Sequence, residues 1–257
     1  MYEANGYVCH QVDSLRDRPG VATLRELLRR VHENRPHDRA GKSVGSGLTV
    51  LDAVLPSGGL PGGAVTGILY EGAGTGALSL AVRFARHAAE DGGWVVFLDP
   101  PGRDGDLYPP ALAQAGLSSD RIIIVRPASL RDFVWASVQS LRCDGVAAVI
   151  ACRGERIDAR ASRQFQLAAE CGGGIGLLLT PVPVASVHAG PSLCPPPSRT
   201  FAEVQLYVEC VAPALRRIHV LKTRAGRPLD PVVVEWRDEA GDVSAHPSKV
   251  SRGAMPA

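Results

Sequence analysis

Residues 64–88 read AVTGILYEGAGTGALSLAVRFARHA, and their order decides the fold. The first seven are apolar or β-branched, as in a strand buried on both faces. A glycine-rich turn, EGAGTG, follows at once. Beyond it Leu80, Phe84 and Ala88 recur at four-residue spacing, which puts them on one face of a helix. Strand, glycine-rich turn and helix make the frame of a phosphate loop, where backbone N–H groups and a helix N-terminus converge on an anion.

The same alternation continues outward. Apolar runs at 93–99 (GWVVFLD), 121–127 (RIIIVRP), 146–152 (VAAVIAC) and 174–180 (GIGLLLT) read as further strands. Between them, Leu130, Val134, Val138 and Leu141 form one helical stripe, and Ile157, Ala161, Phe165 and Ala168 another. Strands apolar throughout, separated by amphipathic helices, predict an α/β fold with a mainly parallel sheet covered on both faces. After 180 the pattern changes. A proline-rich stretch (181–199) reads as a long loop, and 202–210, 215–223 and 231–238 read as strands joined by short links. Short links predict an antiparallel edge to the sheet.

Upstream, GVATLRELLRRVHE (20–33) carries Val21, Leu24, Leu28 and Val31 on one helical face. A polar, glycine-rich linker separates it from the rest. Such a short helix cannot bury its stripe alone, so it docks on its own core or on another chain. These four residues are the candidate partner-binding set. The expected organisation is a helical arm and linker (1–40), a core (41–237) and a flexible tail (238–257).

With 257 residues, 45% hydrophobic and 21% charged, the chain is long enough for one well-buried core. A formal net charge of +2 does not argue for nucleic acid by itself. The six cysteines form no CxxC pair and no Cys/His cluster of metal-ligand spacing. The seven histidines suggest no Ser/His/Asp arrangement. No apolar stretch approaches the roughly 20 residues of a membrane span. The expectation is a soluble, cytoplasmic protein without a metal.

The complete phosphate-loop pattern is GxxxxGK[ST]. Framed by its strand and helix, the stretch Glu71, Gly72, Ala73, Gly74, Thr75, Gly76, Ala77, Leu78 departs from it at three places. Glu71 replaces the first glycine, Ala77 the lysine that neutralises phosphate, and Leu78 the hydroxyl that holds magnesium. Two readings remain. The turn is kept for packing, or it is a weak nucleotide site held by backbone amides. The first is favoured.

Residues 51–85, LDAVLPSGGLPGGAVTGILYEGAGTGALSLAVRFA, resemble the start of the RecA core. The likeness continues through 92–99, 111–127 and 146–152 and resumes at RRIHVLKTRAGRP (216–228), covering about 50–237. The GGLP turn, DPPG (99–102) and RQFQLAAE (163–170) are most similar to the ImuA-like branch. The resemblance implies a RecA-like fold with two more catalytic positions lost. Pro101 stands where such ATPases carry a catalytic glutamate, and Cys152 where they carry a magnesium-linked aspartate; Asp99 is retained. It also implies a non-catalytic adaptor in SOS-induced mutagenic translesion synthesis, without a cofactor. Its partners would be translesion polymerase-related proteins and RecA, with DNA contact indirect or weak. A RecA-type recombinase or regulatory ATPase, and a RecA-like cell-division inhibitor, are the alternatives. Arg216, Arg217, Lys222, Arg224 and Arg227 are the candidate DNA contacts, if exposed at a sheet edge. The competing reading is an edge strand charged against unwanted pairing.

Overall fold

A computed structural model describes residues 23–29, 41–72, 74–100, 107–152, 157–182, 200–223, 229–236 and 243–245. Its centre is a nine-stranded sheet. The described elements run α1 (23–29), β1 (Ser43–Val44), α2 (Thr49–Val54), β2 (Leu60–Pro61), β3 (Val65–Tyr70) and α3 (Ala77–Ala88). They continue with β4 (Trp94–Leu98), α4 (Pro109–Gln114), β5 (Ile122–Val125), α5 (Leu130–Leu141), β6 (Val146–Cys152) and α6 (Ala159–Gly172). The chain then enters β7 (Ile175–Pro181), β8 (Val204–Ala212), β9 (Leu215–Lys222), β10 (Leu229–Trp236) and β11 (Val243–Ala245).

The sheet order is β11-β10-β9-β8-β3-β7-β6-β4-β5. All pairings from β8 through β5 are parallel, and those from β8 out to β11 are antiparallel. The five expected strands from 64 to 180 all form, and the expected antiparallel edge forms from β8 to β10. β11 extends it within the segment expected as tail. β3 lies between β7 and β8, so the turn at its carboxyl end is central to the sheet rather than at its rim.

Side-chain alternation explains the layers. Along β4, Val95 and Phe97 pack in the core on the α3 side, with Leu80 and Phe84. Val96 and Leu98 pack on the opposite side with Phe133 of α5 and Phe165 of α6. Both faces are covered, which is why these strands are apolar at successive positions. On the α3 side the core extends across the antiparallel strands through Leu206, Ile218, Val220, Val232 and Val234, where Leu51 of α2 joins it.

Capping fixes the helices on the far face. Ser129 Oγ accepts from Asp132 N at the start of α5, and Asp158 Oδ1 accepts from Ala161 N at 2.7 Å at the start of α6. The GGLP turn is held by close approach: a Cβ on Gly59 would lie 2.3 Å from the Val44 carbonyl oxygen, which no side chain tolerates. This brings β1 against β2 as a separate antiparallel pair.

The N-terminal stripe docks on the chain's own core. Leu24 is 4% exposed and Leu28 8% exposed, in the cluster that contains Phe133, Trp135 and Cys143. Arg25 places its guanidinium 5.5 Å from the centre of the Trp135 ring, and Cys143 Sγ donates to the Leu28 carbonyl at 3.6 Å. Of the two expected docking partners, the structure therefore has the chain itself. Leu24 and Leu28, expected as partner-binding candidates, are instead buried in the chain's own core. Val21 and Val31 lie outside the described residues.

Candidate functional site

The apolar sequence of β3 buries it between β7 and β8 and delivers Glu71 at the carboxyl end of the sheet, where open α/β sheets form their ligand sites. Gly76 takes a left-handed conformation (φ +86°) at the N-cap of α3, which has no side-chain cap. The loop has internal ties. Thr75 Oγ1 donates to the Gly72 carbonyl at 3.0 Å, and Glu71 Oε1 accepts from the Tyr207 hydroxyl at 2.6 Å. Tyr207 is fully buried, so that hydroxyl needs such a partner.

Arg216 crosses to this turn from β9. Its register partner is Cys210, beyond the level of Tyr70, which pairs Val208. Only 8% exposed, Arg216 shares a strand face with the buried Ile218 and Val220. Nη2 donates to the Gly74 carbonyl at 3.0 Å. Nη1 donates to the carbonyls of Ala212, Pro213 and Leu215 at 2.9 to 3.1 Å. Every partner of the guanidinium among the described residues is a backbone carbonyl.

The lysine and hydroxyl of a complete phosphate loop are absent from this turn. Ala77 is buried and Leu78 half exposed, and neither supplies an ammonium for phosphate or a hydroxyl for the metal. The Thr75 hydroxyl is engaged within the turn, and Asp99 Oδ2 accepts from Leu107 N at 3.3 Å. Cys152, at the end of β6, is half-buried against the core on the α3 side. Gly72, Gly74 and Gly76 are all at positive φ, so the backbone keeps the curvature of a glycine turn. Pro101 lies outside the described residues. No group of three or more His, Cys, Asp or Glu among the described residues is placed to hold a metal.

The basic strand differs from expectation. β9 is not an edge, since β10 and β11 pair beyond it. Arg216 is buried at the turn. Arg217 pairs with Glu209 at 3.0 Å, and Lys222 Nζ donates to the carbonyls of Thr200 and Ala202 at 3.2 and 3.0 Å. All three expected DNA contacts thus have partners within the chain; Arg216 is buried, while Arg217 and Lys222 stay partly exposed. Arg224 and Arg227 lie outside the described residues.

Sequence reading missed two separate ties to the turn, the Tyr207–Glu71 hydrogen bond and the Arg216–Gly74 hydrogen bond. Register also builds contacts around Tyr207: it faces His219, and Glu209 faces Arg217. The Tyr207 and His219 rings lie 5.5 Å apart, and His219 Nε2 is 3.2 Å from Glu209 Oε2. A signal existed in Tyr207, an aromatic hydroxyl in the middle of β8.

Sheet order and the glycine-rich turn after β3 define an α/β protein of RecA-like fold. The chain belongs to the family described as the MT3502 N-terminal domain, whose profile matches residues 53–184. It is 34% identical over 134 residues to Protein ImuA of Caulobacter vibrioides strain NA1000 / CB15N, covering 50% of this chain and 53% of that protein. The same values hold for Protein ImuA of Caulobacter vibrioides strain ATCC 19089 / CIP 103742 / CB 15. The matched region thus spans about half the length of these curated relatives. Among solved structures, the crystal structure of the RadB recombinase superposes with a TM-score of 0.60 at 15% identity. It covers 79% of this chain and 99% of that one. At that identity the likeness establishes the fold alone. No helix among the described residues is long and apolar enough to cross a membrane.

Proposed function

We propose that this chain is a non-catalytic accessory protein of SOS-induced mutagenic translesion synthesis, acting through protein partners. One observation carries the non-catalytic part: the buried Ala77 and its neighbour Leu78 occupy the first turn of α3, where phosphate and magnesium chemistry needs a cation and a hydroxyl. Cys152 in place of a carboxylate at the end of β6 supports the same reading. Similarity to Protein ImuA supports the biological setting. The partners it would meet are translesion polymerase-related proteins and RecA. With Arg216, Arg217 and Lys222 engaged internally, contact with DNA would be indirect or weak.

The test is phosphate release from magnesium ATP by the purified protein, with and without single-stranded DNA, beside an Ala77→Lys variant. No turnover is expected from either, because a lysine alone restores neither the metal ligand nor the carboxylates. Retention of a translesion polymerase or RecA on the immobilised protein is expected in parallel. DNA-stimulated turnover by the unaltered protein would refute the reading in favour of a RecA-type ATPase.

A further inference from the structure

Arg216 reaches 142 residues back along the chain to the Gly74 carbonyl of the glycine turn and also bonds the hairpin between β8 and β9. We propose that Arg216 is a built-in latch: its guanidinium holds the phosphate-type turn in shape and ties it to the hairpin, without a ligand. The proposal rests on the reading of the turn as non-catalytic.

Three features of the site argue for a latch and against a second anion-binding cation. First, the Nη atoms contact four acceptors, all carbonyls, with the two Nη1 hydrogens shared among three of them, so protein dipoles surround the charge. Second, Nε is buried without a partner among the described residues, and it lies against Gly76. A Cβ on Gly76 would sit 3.3 Å from Nε and 3.6 Å from Cδ. The arginine stem and Nε therefore occupy the space beside the last glycine of the turn. Third, this contact gives Gly76 a role that needs no phosphate. Its φ of +86° suits glycine, and its bare α-carbon admits the arginine. A turn that has lost its lysine and its hydroxyl thus keeps a reason for its last glycine. The carbonyls of Ala212, Pro213 and Leu215 fix the other end of the latch, so hairpin and turn move as one unit.

Hydrogen exchange on the full chain tests this, comparing the unaltered protein with Arg216→Met. Methionine keeps much of the apolar stem and removes the charge and all four carbonyl contacts. Exchange in peptides covering 74–82 and 211–215 is expected to rise at least tenfold, while β6 and β7 stay protected. Arg216→Lys should fall between the two, since an ammonium keeps the charge but not the fork. Unchanged exchange of the turn in a folded Arg216→Met protein overturns the proposal. A uniform rise across the sheet does the same, because it makes Arg216 a general stabiliser.

Should Arg216→Met fail to fold, Gly76→Ala is the second variant. Its Cβ pushes on Arg216, so the latch requires faster exchange in the hairpin as well as the turn. A change confined to the turn reports backbone strain alone and overturns the latch. Adding magnesium ATP or inorganic phosphate to the unaltered protein separates this proposal from the one beneath it. Extra protection of 74–82 would count against the non-catalytic reading, whereas the variants judge the latch.

Discussion

Replacing Leu24 with alanine is expected to release α1 from the body of the protein, and Cys143 reports it. Leu24 is 4% exposed against the cluster of Phe133 and Trp135, and the neighbouring Leu28 carbonyl covers the Cys143 thiol. Truncating a buried leucine costs about 2–5 kcal/mol. The lower end applies here, because α1 lies at the outer surface of the core and can settle into part of the space. A loss of about 2 kcal/mol in docking raises the population of the undocked state about 30-fold, at 1.4 kcal/mol per factor of ten. Cys143 is alkylated only when the thiol is uncovered, so its alkylation by iodoacetamide should accelerate by the same factor. Mass spectrometry of the peptide carrying Cys143 reads the rate, and the exposed Cys171 and Cys210 serve as internal standards. Leu24→Ala/Leu28→Ala should go further, to a ceiling where α1 is fully released and the rate no longer changes. Equal Cys143 alkylation in the unaltered and Leu24→Ala proteins would refute docking on the chain's own core. It would return the stripe to the role of a contact for another chain.

Cys143 also carries a pH dependence. Burial pushes its thiol pKa up, because the thiolate is poorly solvated there. A raised folded pKa means stability that is complete below the unfolded thiol's titration and is lost as pH rises through the folded value. The melting temperature of the unaltered protein should therefore fall more steeply than that of Cys143→Ala above about pH 8.5, the ordinary thiol value. Parallel curves would show that the thiol does not contribute. Tyr207→Phe removes the 2.6 Å hydrogen bond to Glu71 from a fully buried ring. Its expected cost is about 1–2 kcal/mol, at the lower end for a charged acceptor because Glu71 is only half-buried. Urea unfolding measures it, and a midpoint identical to that of the unaltered protein would show that water replaces the bond.

The elements of the parallel core were legible because each is a local property. A strand buried on both faces must be apolar at successive positions, and a helix lying on it must repeat every three to four residues. Residues 64–88 show both patterns with the turn between them, and β4 to β7 with their helices repeat the scheme. The loss of the phosphate lysine and hydroxyl was equally legible, since Ala77 and Leu78 lack those groups in any conformation. α2 and α4 were missed: each spans only six residues, too few to display a helical period.

What the tertiary structure alone decided is where the charges and the first helix go. The stripe of Leu24 and Leu28 is equally apolar whether it meets α5 or another chain, and only the assembled core selects between them. The basic residues of β9 look alike in sequence, yet pairing with β8 sets Arg217 opposite Glu209 and carries Arg216 to the glycine turn. Sheet order is the cause. A strand's neighbours are fixed by contacts across many tens of residues, and the partner of a charged side chain is set by register, which no local pattern encodes.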